Sequence, residues 1–186
     1  MDAWVSNFLR SQGYEYRIVY GVELDDLWDQ AFTVASAEMG LGKDFYKDEW
    51  NKVIKPQEID SLEAYVKAPR LGRGVRLDRK GRMAVWNVFQ EMRHLMNEKR
   101  LHDAETAMAE ARYLLAHQKS KLPYASVIVD EAQDFSVQAL KLIRAIAGEE
   151  HGNDLFIVGD AHQRIYRNKV TLKPCGINIR GRSSIL

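Results

Sequence analysis

Asp130, Glu131 and Asp134 follow directly on the apolar run Val127, Ile128, Val129, and Asp160 follows a second such run, Leu155, Phe156, Ile157, Val158. A carboxylate leaves water only when something compensates its charge. Acids at the ends of dry strands therefore point to a metal ion, a cationic partner or an active site. A hard cation such as Mg²⁺ takes oxygen ligands, often one or two carboxylates together with substrate phosphates, and Asp130 has that chemistry. Glu131, the next residue, can orient and deprotonate a water aimed at a phosphorus atom. Together they suit nucleoside-triphosphate hydrolysis. A strand end capped by an acidic turn has the same short pattern without chemistry, so the neighbouring residues decide.

These acids need elements to position them. Val127 to Val129 reads as a short buried strand. Ser136 is a candidate N-cap, 137–147 reads as a helix apolar nearly all round, and Gly148 is its stop. "DLFIVGD", residues 154–160, reads as a second buried strand. Continuously apolar strands around an apolar helix predict a parallel sheet covered on both faces. Asp130 to Asp160 is the length of one strand–helix–strand unit. Sites in open parallel sheets form beyond the carboxyl ends of the strands, so parallel pairing would bring Asp130 and Asp160 to one edge.

Residues 1–122 read as almost wholly helical. Leu24, Leu27, Trp28, Ala31, Phe32 and Ala35 recur at helical spacing, as do Tyr46, Trp50, Val53 and Ile54. Val85, Phe89, Met92 and Met96 mark a third helix, and Ala104, Ala107, Met108, Ala111 and Leu115 a fourth. Gly40, Gly42, Pro56, Pro69, Gly72 and Gly74 punctuate between them.

Composition narrows the class. At 46% hydrophobic and 28% charged the chain is globular, not disordered. A net charge of +1 gives no global attraction to nucleic acid, so any such attraction is local. The single cysteine, Cys175, rules out an internal disulfide and fits a reducing cytoplasm. No apolar run is long enough to span a membrane, so a cytoplasmic protein without membrane partners is expected.

"VIVDEAQD" (127–134) resembles the Walker B motif, helicase motif II, of the UvrD/Rep-like superfamily 1 DNA helicases. "LFIVGDAHQRIY" (155–166) resembles motif III of the same family, and "GINIRGRSS" (176–184) the stretch before motif IV. The resemblance implies an α/β chain. Residues 1–122 would be a helical 1B-like insertion domain, and 123–186 part of a RecA-like ATPase domain with a parallel sheet. It also implies ATP and Mg²⁺ as cofactors of the complete protein, and DNA, single-stranded or at a junction, as partner. The chain then reads as an internal part of a helicase, whose other domains would be further partners. Carried over by position, Asp130 holds Mg²⁺ and Glu131 is the catalytic base. Gln133 and Asp134 lie at the junction of the ATP site and motif III, with Gly159 and Asp160 beside them. Gln163 senses the γ-phosphate, and Tyr166 lies by the nucleic-acid groove. Asn168 stands where many members carry tryptophan.

A phosphate-binding loop, Gly-x-x-x-x-Gly-Lys-[Ser/Thr], would cradle the nucleotide. The nearest string is "AEMGLGKD" (37–44), with Ala37 at the first glycine, Asp44 at the hydroxyl and no strand before it. It reads as an interhelical turn, so this chain alone is expected to bind Mg·ATP weakly and not to hydrolyse it. Residues 69–82 hold Arg70, Arg73, Arg76, Arg79, Lys80 and Arg82 against the single acid Asp78. Arg73, Arg76 and Arg79 are candidate contacts to DNA phosphates; a solvated, charged loop is the plainer reading. Two rivals stand beside the helicase reading. One is a non-catalytic DNA-binding or interaction fragment. The other, a metal-dependent nuclease built on Asp130, Glu131 and Asp160, leaves "VGDAHQRIY" without a purpose.

Overall fold

A computed structural model describes residues 1–118, 122–159 and 172–178. In chain order the main elements are α1 (Asp2–Ser11), β1 (Arg17–Ile18), α2 (Gly21–Phe32), α3 (Lys43–Glu49), α4 (Leu62–Lys67), α5 (Arg79–Glu98), β2 (Leu101–His102), α6 (Ala104–His117), β3 (Val127–Val129), α7 (Val137–Ala147) and β4 (Leu155–Ile157). The chain divides into two compact units. One is residues 10–106; the other is Met1–Leu9 with the residues from Ala107 onward. No helix among the described residues is long and apolar enough to cross a membrane.

The 10–106 unit is built round α5. Asp78 caps that helix by accepting from the Gly81 amide at 2.7 Å. Val85, Val88, Phe89, Met92 and Met96 then share one face at i, i+3 and i+4 spacing, with Trp86 beside them, and all are buried. Aromatic edges pack against this stripe: Trp50 and Tyr65 lie 5.5 and 5.8 Å from Phe89 between ring centroids, and Trp28 meets Trp50 edge-on at 5.6 Å. After α3 the backbone continues as one wider π turn over Trp50–Ile54, with the Lys55 amide donating to the Trp50 carbonyl at 2.9 Å. The wider turn keeps Trp50, Val53 and Ile54 all buried. Residues 37–42 connect α2 to α3 through a short turn and Gly40, as an interhelical segment. The helical reading of this region omitted one element. β1 and β2 pair in parallel, Arg17 with Leu101 and Ile18 with His102. Two-residue strands carry no periodicity to read.

In the other unit β3 and β4 pair in parallel, with Val127 opposite Leu155, Ile128 opposite Phe156 and Val129 opposite Ile157. Ser136 caps α7 by accepting from the Ala139 amide at 3.1 Å, and Gly148 ends it with a positive φ of 77°. α7 lays Leu140 and Ile143 on Val129, with Cys175 and Ile177 completing the cluster. The expected cover on both faces is not what the described residues show. Ile128 is 75% exposed and Phe156 60%, side by side in the ladder. An apolar run tells that a strand can be buried on both faces, but a second layer must be supplied by other segments.

Asp154 fixes the start of β4. It is buried and accepts from Arg144 of α7 at 2.8 Å, from the Leu155 amide at 2.8 Å and from the His151 amide at 3.2 Å. Burial opposes its charge, but these donors outweigh it and hold the carboxyl below the usual aspartate range.

Candidate active site

The candidate acids sit where the parallel pair ends. The ladder continues past the strands: the Val158 amide donates to the Val129 carbonyl at 2.8 Å, and the Ala132 amide to the Val158 carbonyl at 2.9 Å. Between those two bonds the chain turns sharply at Asp130 and Glu131. Glu131 takes left-handed backbone angles, φ 53° and ψ 41°, a conformation costly for a side chain other than glycine and often retained at functional sites. The Asp130 side chain steadies this corner by accepting from the Glu131 amide at 2.9 Å. A short turn, Ala132–Asp134, follows, closed by the Asp134 amide on the Glu131 carbonyl at 2.9 Å.

Asp130, Glu131 and Asp134 are all exposed at this edge. The strand thus delivers its acids to water, without burying them. Gln133 is half-buried and donates through Nε2 to Glu131 Oε2, which orients one oxygen of the carboxylate and leaves the other for a water or a substrate. Gly159 closes the edge from the β4 side. A methyl group there would meet Gln133 Oε1 at 2.8 Å and the Ala132 amide nitrogen at 3.2 Å. A side chain at this position would displace the Gln133 amide and press on the Ala132 backbone. The structure therefore brings together Asp130, Glu131, Gln133, Asp134 and Gly159. Asp160, Gln163 and Tyr166 lie outside the described residues.

Among the described residues no three His, Cys, Asp or Glu side chains come together to enclose a metal ion, and Asp130 offers a single carboxylate ligand. Asp130 is an exposed carboxylate at the carboxyl end of a parallel strand, one oxygen of which is held by a backbone amide. A Mg²⁺ ion needs few protein carboxylates when phosphates and water fill its octahedron.

The basic segment is not uniform. Arg76 and Arg79 are exposed. Arg73 is not: its side chain is 10% accessible and donates to Glu49 at 2.8 Å, to Asp48 at 3.1 Å and to the Phe45 carbonyl at 3.3 Å. Arg70 donates to both oxygens of the same glutamate, and the Tyr65 hydroxyl adds a bond of 2.9 Å. Glu49 itself is wholly buried. Burial opposes its ionisation, but the bonds from Arg70, Arg73 and Tyr65 hold its carboxyl below the usual range. The neighbouring acids Glu58, Asp60 and Glu63 are the obvious partners by position; the actual partner, Glu49, lies on α3. A lone glutamate among aromatics in a helical repeat was the one signal that could have marked it.

A second buried polar group joins α3's π turn to α6. Asp103 accepts from Trp50 Nε1 at 3.1 Å, Lys55 Nζ at 3.0 Å and the Thr106 amide at 2.8 Å, the last as the cap of α6. His102 beside it accepts a hydrogen bond from, or donates one to, the Tyr14 hydroxyl. Burial first, and then the Lys55 charge, push its pKa down to about 4.

The family model for the UvrD/REP helicase N-terminal domain matches residues 23–170. The match takes in most of the helical region, where no motif was legible, as well as both strand–acid motifs. An ATP-dependent helicase/nuclease subunit from Bacillus licheniformis is 38% identical over 63 residues, which is 34% of this chain and 5% of that protein. The chain thus spans a small part of the length of that relative. With a family model matched across most of its length and strand-end acids arranged as described, the chain belongs to the UvrD/REP helicase N-terminal domain family.

Proposed function

We propose that this chain supplies the water-activating acids of an ATP-driven DNA helicase or translocase. The observation that carries the reading is the corner at Glu131: a left-handed glutamate at the carboxyl end of a parallel strand, oriented by Gln133 and adjoining Asp130. Glu131 is the general base for water attack. Asp130 would hold Mg²⁺, which when bound neutralises phosphate charge. Gln133 keeps the base aimed, Asp134 closes the turn beneath it, and Gly159 allows the β4 end to approach. Asp160 and Gln163 are proposed from the motif alone to link this edge to the γ-phosphate, and Tyr166 to lie against a DNA strand. The 186 residues contain no Gly-x-x-x-x-Gly-Lys-[Ser/Thr] string, so hydrolysis on this reading requires a phosphate-binding loop beyond them.

The test is Glu131→Gln in a helicase that holds this chain together with such a loop. ATP binding is retained, and the ATPase rate stimulated by single-stranded DNA falls about 10²–10⁴-fold. A rate within about threefold of the parent, far inside that range, would remove Glu131 as the base. The missing loop also favours a second reading, a DNA-binding or interaction module without hydrolysis. Calorimetry with Mg·ATP on the chain alone separates the two questions: micromolar affinity would reveal a phosphate-binding element that the sequence does not show.

A further inference from the structure

We propose that the 70–78 loop and the first turn of α5 form a preshaped surface for a nucleic-acid backbone, in which Arg76, Arg79 and Lys80 contact phosphates while buried Glu49 withholds Arg70 and Arg73 to set the loop's shape. The inference rests on the helicase reading and names a surface that reading leaves unassigned.

Glu49 divides the basic residues into two sets. Arg70 Nη2 and Arg73 Nε both reach Glu49 Oε2, at 2.9 and 2.8 Å, and the two side chains are 7% and 10% accessible. Glu49, joined at Arg73 by Asp48, holds both guanidinium groups against α3. Arg70 also donates to the Val75 carbonyl at 2.7 Å, tying the two ends of the turn together. Arg82 does the same lower down, donating to the Tyr65 and Ala68 carbonyls at 2.6 and 2.9 Å. Gly72, with φ 73°, makes the bend. Leu71 at the tip is 91% exposed, so packing of the tip does not hold the loop; the arginine clamp does.

The second set is free of such duties. Arg76, Arg79 and Lys80 are exposed and make no ion pair among the described residues. The nearby acid Asp78 is occupied as the cap of α5. Arg79 and Lys80 stand in the first turn of α5, which carries no acid, although the helix dipole disfavours cations there. Three cations without an ion pair among the described residues, two of them held against a local electrostatic preference, complement an anionic polymer. A phosphate backbone has that charge density.

The experiment measures binding of fluorescein-labelled oligo(dT) to the chain by anisotropy at several NaCl concentrations. Replacing Arg76, Arg79 and Lys80 by Ala flattens the log–log salt slope by about 2, since each phosphate contact on a single strand contributes about 0.7. Arg73→Met leaves the slope of the parent; should that variant not fold, the triple substitution at exposed positions decides alone. Glu49→Gln weakens binding at every salt concentration without changing the slope, because the cations remain but their placement loosens. A triple variant with the parent slope, a parent chain that does not bind oligo(dT), or Glu49→Gln with parent affinity would each overturn the proposal. So would displacement of the oligonucleotide by polyglutamate at equal charge, which would assign the loop to an acidic protein. None of these results alters the outcome of the Glu131→Gln ATPase assay, so the two readings fail separately.

Discussion

Glu49→Gln keeps the shape of the side chain and removes its charge, which leaves two guanidinium groups, 7% and 10% accessible, without their buried counter-ion. Asp48 still touches Arg73, but its side chain is 49% accessible and it also pairs with Lys52. Removing one partner from a buried ion pair costs about 3–5 kcal/mol, because the remaining charge stays desolvated. A domain of ordinary stability has roughly 5–15 kcal/mol in total. At about 4–8 °C per kcal/mol for a domain of this size, the melting temperature falls by more than about 12 °C. Tryptophan fluorescence in a urea titration is a suitable assay, since Trp28, Trp50 and Trp86 all lie in the core round α5. With a urea slope of about 1–3 kcal/mol per molar, the midpoint moves by at least about 1 M. Glu23→Gln is the control: its pair with Arg17 is 47% and 62% accessible, and its midpoint stays in place. The sign with pH follows from the depressed carboxyl of Glu49. Its contribution is complete above the ordinary glutamate value of about 4.3 and is lost as pH falls through the lower folded value. The stability curves of parent and variant therefore converge in acid. A midpoint shift below about 0.3 M at pH 7, equivalent to less than 1 kcal/mol, would refute the claim that Glu49 is the charge that holds this unit.

Gly159→Ala pushes a methyl group into the Ala132 amide and Gln133; circular dichroism stays that of the parent while ATPase activity in a complete helicase falls at least about tenfold, toward the loss expected for a misaimed base, and activity within twofold would show that the edge can relax. Ser136→Ala removes the cap of α7 and lowers stability by about 1 kcal/mol, as read by urea denaturation. His102, held neutral with a folded pKa of about 4, binds a proton more readily when unfolded. Stability of the 10–106 unit accordingly declines as pH falls from about 6.5 toward the folded value, against the facing groups Tyr14, Tyr16, Lys55 and Asp103. His102→Gln flattens that part of the pH–stability profile, and an unchanged profile would show that other groups set it.

Local pattern was enough for the elements that carry their own signal. The stripe of Val85, Phe89, Met92 and Met96 named the face of α5 that is buried, and Ser136 and Gly148 marked the ends of α7 as they stand. A cap, a helical period and a left-handed glycine are properties of neighbouring residues, so a single chain displays them. The acids at the end of β3 were equally legible, because a strand and its terminal residues are contiguous.

What sequence could not show is what depends on distant residues meeting. Parallel pairing of β3 with β4 was an expectation until the ladder placed Val129 opposite Ile157 and set Gly159 against Gln133. β1 met β2 across more than eighty residues with no periodic signal at either end. Arginines that look alike at 70, 73, 76 and 79 were sorted by Glu49, a residue on another helix. Tertiary structure decides such matters because charge is neutralised by whichever group lies within a few ångströms in a dry interior. Spacing along the chain determines which residues share a face, and the packing of α3 against the 70–78 loop determines which of those residues keep their charge for a partner.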